Sequence, residues 1–141
     1  QGIDHHILMM CNRNSKELEL FLYFCLLIHA RYLLLHHNQL MGKAANATIF
    51  KLKYGHRGHN QPVRLVGTNQ CYVTSQNHGY AVDAKTLNKD WEELFVNMND
   101  GSNEGIRHKT NPWFSSQFHP EASSGPVDTV FMFDKFVEAL K

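Results

Sequence analysis

His119 and Glu121 stand two apart in the stretch FSSQFHPEASSG, with Pro120 between them. In a strand, residues i and i+2 share a face. Pro120 cannot donate to a sheet ladder, so a strand here ends at that point. Both side chains could then project from a strand end, where α/β sheets usually carry their sites. A carboxylate beside an imidazole fixes its tautomer and strengthens it as a base. The chemistry suggested is general acid–base catalysis, and the plainer alternative is a surface His–Glu pair. A base of this kind also needs a nucleophile to activate.

Two further clusters carry polar side chains beside glycine. In TSQNHGYAVD, Gln76, Asn77 and His78 precede Gly79, whose missing Cβ lets backbone amides approach a small ligand. Tyr80 could supply a wall, and the alternative is a plain hairpin turn. In YGHRGHNQPV, His56 and His59 stand three apart, a spacing that binds metal on a helix. Two glycines and Pro62 instead predict a loop, with no further Cys, His or carboxylate at ligand spacing, so no metal is expected. The chain has ten histidines, but five lie within the first 37 residues and so say little about this loop. There is no GxxxxGK[ST] phosphate loop, which argues against a nucleotide site, and no cofactor is expected.

The elements that must position these residues follow from the rest of the chain. Its 141 residues fit one domain or a piece of a larger one. With 43% hydrophobic and 19% charged residues, a packed core is possible. Fourteen basic and thirteen acidic side chains give a net charge near +1, which suggests neither a nucleic-acid nor a membrane partner. Cys11, Cys25 and Cys71 are odd in number and widely spaced, so a reducing, cytoplasmic setting is expected. The most apolar run, LFLYFCLLI from Leu20 to Ile28, falls short of the about 20 residues that cross a bilayer. No signal peptide is read at the start.

Texture changes near residue 38. Before it the chain has almost no glycine or proline, and Asn14 or Ser15 could cap a helix that is apolar on every side. After it, NQLMGKAANA reads as a helix and TIFKLK as a strand, followed by the loop YGHRGHNQP. VRLVG and CYVTSQ read as strands joined by the turn GTNQ, with LFVNMND, GIRHK and PWFSSQFH as further strands. Val127, Val130, Phe133, Val137 and Leu140 recur at helical spacing after Pro126, which suits the first turn and predicts a closing helix. The mixture indicates an α/β domain.

Taken in order, KLKYGHRGHNQPV, TSQNHGYAVD, NDGSNEGIRHK, PWFSSQFHPEASSGP and FMFDKFVEAL resemble the small, glutamine-hydrolysing chain of carbamoyl-phosphate synthase. That chain ends in a class I glutamine amidotransferase domain. The resemblance implies an open α/β sheet with flanking helices over residues 38–141, incomplete on its N-terminal side, behind a divergent segment 1–37. It implies a cysteine thiolate that attacks the glutamine carboxamide, with His119 as base and acid and Glu121 orienting it. It further implies that Gln39, Asn77, Gly79 and Tyr80 hold glutamine, and that ammonia passes to a large subunit that makes carbamoyl phosphate for arginine and pyrimidine synthesis.

The departure lies at the nucleophile. The family carries a G-x-C-x-G-[HN]-Q elbow. Aligned on Asn38 and Gln39, its glycines fall on Leu33 and His37 and its cysteine on Leu35. Leucine has no nucleophilic atom. Strained non-glycine backbone costs on the order of 1–3 kcal/mol, and an oxyanion hole on the same turn goes with it. Neither Cys25 nor Cys71 has an elbow around it. Impaired hydrolysis is therefore expected. The alternatives are a non-catalytic module that binds glutamine or docks on a synthetase subunit, and a truncated product without function.

Overall fold

The computed structural model describes residues 37–120 and 127–139, all within one compact unit of residues 35–141. Helix α1 (His37–Ala44) leads into β1 (Ile49–Leu65) and β2 (Cys71–Val82). A short 3-10 turn (Ala84–Thr86), β3 (Trp91–Asn97), β4 (Asn103–His108) and helix α2 (Phe131–Ala139) follow. The four strands form one sheet in the order β2-β1-β3-β4. Every pairing is antiparallel. This is an α/β open sheet with flanking helices, as expected.

α1 stops where Asn46 takes a left-handed backbone, φ 60°, and its N–H returns to the Lys43 carbonyl at 3.0 Å. Lys43 sits in the last turn, where a cation complements the helix dipole.

The expected loop YGHRGHNQP is instead the middle of β1, which runs for 17 residues. It stays paired with β2 because the ladder is broken twice, between Lys51 and His56 and between Gly58 and Gln61. Gly55 has φ 70°, and a Cβ there would stand 2.8 Å from the His78 carbonyl oxygen. Glycine and proline in this stretch therefore mark bulges rather than a loop. β2 likewise continues through Gly79 to Val82, which removes the possible hairpin turn. The GTNQ turn between the two strands forms as expected, with the Thr68 N–H on the Leu65 carbonyl at 3.2 Å.

PWFSSQFH does not complete a strand. Only Phe114 bridges β4, opposite Arg107. The segment nonetheless lies along β4, through Ser115 N–H to Ile106 O at 2.9 Å and Gln117 N–H to Glu104 O at 2.8 Å.

Two apolar clusters bind the layers. Val63, Leu94, Phe95, Phe118 and Met132 form the first, and Met41, Ala45, Trp91 and Ile106 the second. In the first, the Phe95 ring meets Phe118 edge-on at 5.1 Å. α2 enters this cluster through Met132, with Phe131 packed beside it, and Thr129 just before the helix is also buried. The stripe picked out by helical spacing does not face this cluster: Val127, Val130, Phe133 and Val137 are exposed. Leu140 and Pro126 lie outside the described residues. Helical spacing identified a real stripe, but the large side chains at positions 131 and 132 took the interior.

Candidate active site

Burial along β2 does not follow strict alternation in the polar cluster: Gln76 and His78 are buried and Asn77 between them is exposed, but Tyr80, two residues beyond His78, is exposed as well. Gly79 lies between His78 and Tyr80, and a Cβ there would have nothing within 4 Å. The surface at Asn77–Tyr80 is therefore open, and its backing is fixed.

The expected base sits beside this strand. The His119 N–H donates to the Ser75 carbonyl at 2.9 Å, one residue before Gln76. The side chain of Ser75 in turn meets His59 Nδ1 through its hydroxyl at 2.8 Å. His59, first weighed as a metal ligand, thus ties β1 to the residue that carries His119. Glu121 and Leu35, its expected partner and the nucleophile position, lie outside the described residues. No side-chain hydrogen bond joins Gln39, Asn77 and Tyr80 to one another among the described residues.

Gln39 stands in the first turn of α1 and is half-buried. Its neighbour Asn38 is buried, and this residue anchors the helix. Ser115 Oγ donates to Asn38 Oδ1 at 2.8 Å, and Asn38 Nδ2 donates to Asn103 Oδ1 at 3.2 Å. One amide thereby locks α1 to β4 and to the segment leading to His119.

Behind Asn77 and Gly79 lies a buried charged network that sequence reasoning missed. His56 Nδ1 donates to Glu104 Oε1 at 2.9 Å, and its Nε2 faces Asp100 Oδ2 at 2.9 Å. His78 Nε2 stands 3.3 Å from the same Glu104 oxygen. Glu104 is wholly buried. The hydrogen bond to Glu104 holds the His56 imidazole protonated; burial opposes it, and Asp100 adds to it, so its pKa rises to about 9. Burial pushes Asp100 up, but the Ser102 N–H and hydroxyl together with His56 outweigh it and leave its carboxyl below the usual range. Burial raises Glu93 on the inner strand β3, against the Asn103 amide and the Arg64 charge that hold it down.

The sign of the consequence is fixed. A histidine whose folded pKa lies above its unfolded value of about 6.5 stabilises the fold fully below that pH. That contribution fades as pH rises through about 9. Chelator-treated protein should therefore show a lower urea midpoint at pH 9.5 than at pH 6, and E104Q should flatten the difference. Equal midpoints in the parent chain would contradict the assignment.

His56 lies 48 positions from Glu104 and 44 from Asp100, so no local spacing could reveal the network.

The model of the class I glutamine amidotransferase family matches residues 37–139, and this chain belongs to that family. Among curated proteins it is similar to the multifunctional protein pyrABCN of Emericella nidulans, with 57% identity over 104 residues, 74% of this chain and 5% of that one. It is likewise 56% identical over 104 residues to the carbamoyl phosphate synthase arginine-specific small chain of Debaryomyces hansenii, covering 74% of this chain and 24% of the relative. The chain thus spans about a quarter or less of the length of these relatives. Its fold is similar to that of a Thermoplasma acidophilum protein provisionally described as part of a GMP synthase, with a TM-score of 0.62 and 21% identity. That likeness covers 72% of this chain and 52% of the other. Among the described residues no helix is long and apolar enough to cross a membrane.

Proposed function

We propose that residues 38–141 are the substrate-holding part of a carbamoyl-phosphate synthase amidotransferase, and that this chain binds glutamine without hydrolysing it. In this reading Gln39, Asn77, Gly79 and Tyr80 receive glutamine, His119 is the base and Glu121 orients it. Leu35 replaces the nucleophile. The natural partner is the synthase large subunit, separate or fused, to which an intact relative would deliver ammonia.

The observation that carries the reading is that the exposed Asn77 and Tyr80 flank the open Gly79 on the strand to which the His119 backbone is tied through Ser75. Asn77 offers a donor and an acceptor for an α-amino acid, and the open face at Gly79 admits the ligand close to the backbone.

Isothermal calorimetry with L-glutamine tests this reading. Saturable heat is expected from the parent chain. Because a Cβ at Gly79 meets nothing in the fold, G79V should unfold at nearly the parent temperature yet lose binding at least about tenfold, a cost of about 1.4 kcal/mol. Absence of glutamine heat in the parent chain would remove the glutamine-binding reading.

A further inference from the structure

His56, His78 and Glu104 come from β1, β2 and β4, and their ligand-capable atoms lie within 4.8 Å of one another, all three residues buried. We propose that these three side chains form a binding site for a zinc-type divalent cation that cross-links the strands beneath Asn77–Tyr80.

The outer bonds of the two imidazoles already have the required polarity. His78 Nδ1 faces the Tyr80 carbonyl at 3.0 Å, and His56 Nε2 faces Asp100 Oδ2 at 2.9 Å. A carbonyl and a carboxylate each hold a ring N–H on the far side, the usual support of a metal-bound histidine, and a metal would displace any proton on the opposite nitrogen. The two nitrogens left over, His56 Nδ1 and His78 Nε2, are the ones that converge on Glu104 Oε1, at 2.9 and 3.3 Å. Ligands on a tetrahedral zinc stand about 3.3 Å apart, given bonds of about 2.0–2.1 Å.

One further observation favours a cation. Glu104 Oε2 is buried with no hydrogen-bond partner, an orphan acceptor that a metal bound by both carboxylate oxygens would satisfy. The Asn97 amide nitrogen, 3.3 Å from His56 Nδ1, would have to turn toward Gln76 Oε1 at 3.4 Å when the metal binds. Gln76 Oε1 lies 3.3 Å from His78 Nε2, a neutral oxygen beside the cluster. Two imidazoles and a carboxylate suit zinc and cobalt. His59, three residues beyond His56, is excluded because its Nδ1 is committed to Ser75.

The proposal is independent of glutamine binding. The test strips the full chain with a chelator and titrates it with cobalt(II). One equivalent should give a visible absorption band of tetrahedral intensity, displaced by zinc, abolished in E104Q and H78Q and kept in H59Q. No band, or a band that survives in E104Q, overturns the site, because the histidines of residues 1–37 or a purely proton-held network would then account for the behaviour. Should the variants fail to fold by circular dichroism, imidazole nitrogen spectra of the parent chain decide. Zinc should shift the His56 Nδ1 and His78 Nε2 resonances, and unchanged resonances overturn the proposal.

Discussion

Glutamine incubated with the purified chain should release no ammonia above the uncatalysed rate. Hydrolysis in this family, as its resemblance implies, begins with attack by a thiolate, and residue 35 is leucine. Removing a nucleophile from a comparable acyl-transfer site costs about 10⁶-fold in kcat, far below what an ammonia assay detects. Cys71 does not replace it: it is exposed at the start of β2, with its thiol on the Asn69 carbonyl at 3.7 Å, five residues before Gln76. Thiol-blocking reagents should therefore change nothing. If the elbow aligns as the resemblance implies, the single substitution L35C should also stay inactive, because Leu33 and His37 would still stand where the elbow has glycines. Thiol-dependent ammonia release from the parent chain would defeat this account outright.

F95A should be the most damaging substitution in the apolar core. Phe95 is fully buried, touches Phe118 and Tyr72 edge-on at 5.1 and 6.4 Å, and lies against Gly105. Truncating a buried phenylalanine costs about 3–5 kcal/mol, against a total of about 5–15 kcal/mol for a typical domain. Phe118 immediately precedes His119, so the loss should also free the His119 amide. Urea denaturation followed by circular dichroism should show the lower midpoint, and hydrogen exchange should show early loss of protection at His119. M98A, at an exposed position, should stay within about 0.5 kcal/mol of the parent. Similar midpoints for F95A and M98A would refute this view of the core.

The sequence disclosed elements whose signals are local. α1, the GTNQ turn, β3 and β4 could be read from periodicity and punctuation. β1 could not, because Gly55, Gly58 and Pro62 look like a loop, while the ladder with β2 tolerates them as bulges. The inward face of α2 was not legible for a different reason: spacing shows that a stripe exists, and the bulk of Phe131 and Met132 decided which stripe meets Phe95. Among the site residues, Asn77, Gly79, Tyr80 and His119 were visible as motif letters. Their supports, Glu104, Asp100, Asn97 and Asn38, were not, since each acts through a partner distant in sequence.

The way His119 is held has a consequence for how such sites change over time. One of its anchors is its own main-chain N–H on the Ser75 carbonyl. Almost any residue at position 119 could make that bond. A substitution at position 119 that keeps the backbone in place should therefore leave the course of the chain beside β2 unchanged, so that a residue's identity and the path of its main chain can be inherited separately.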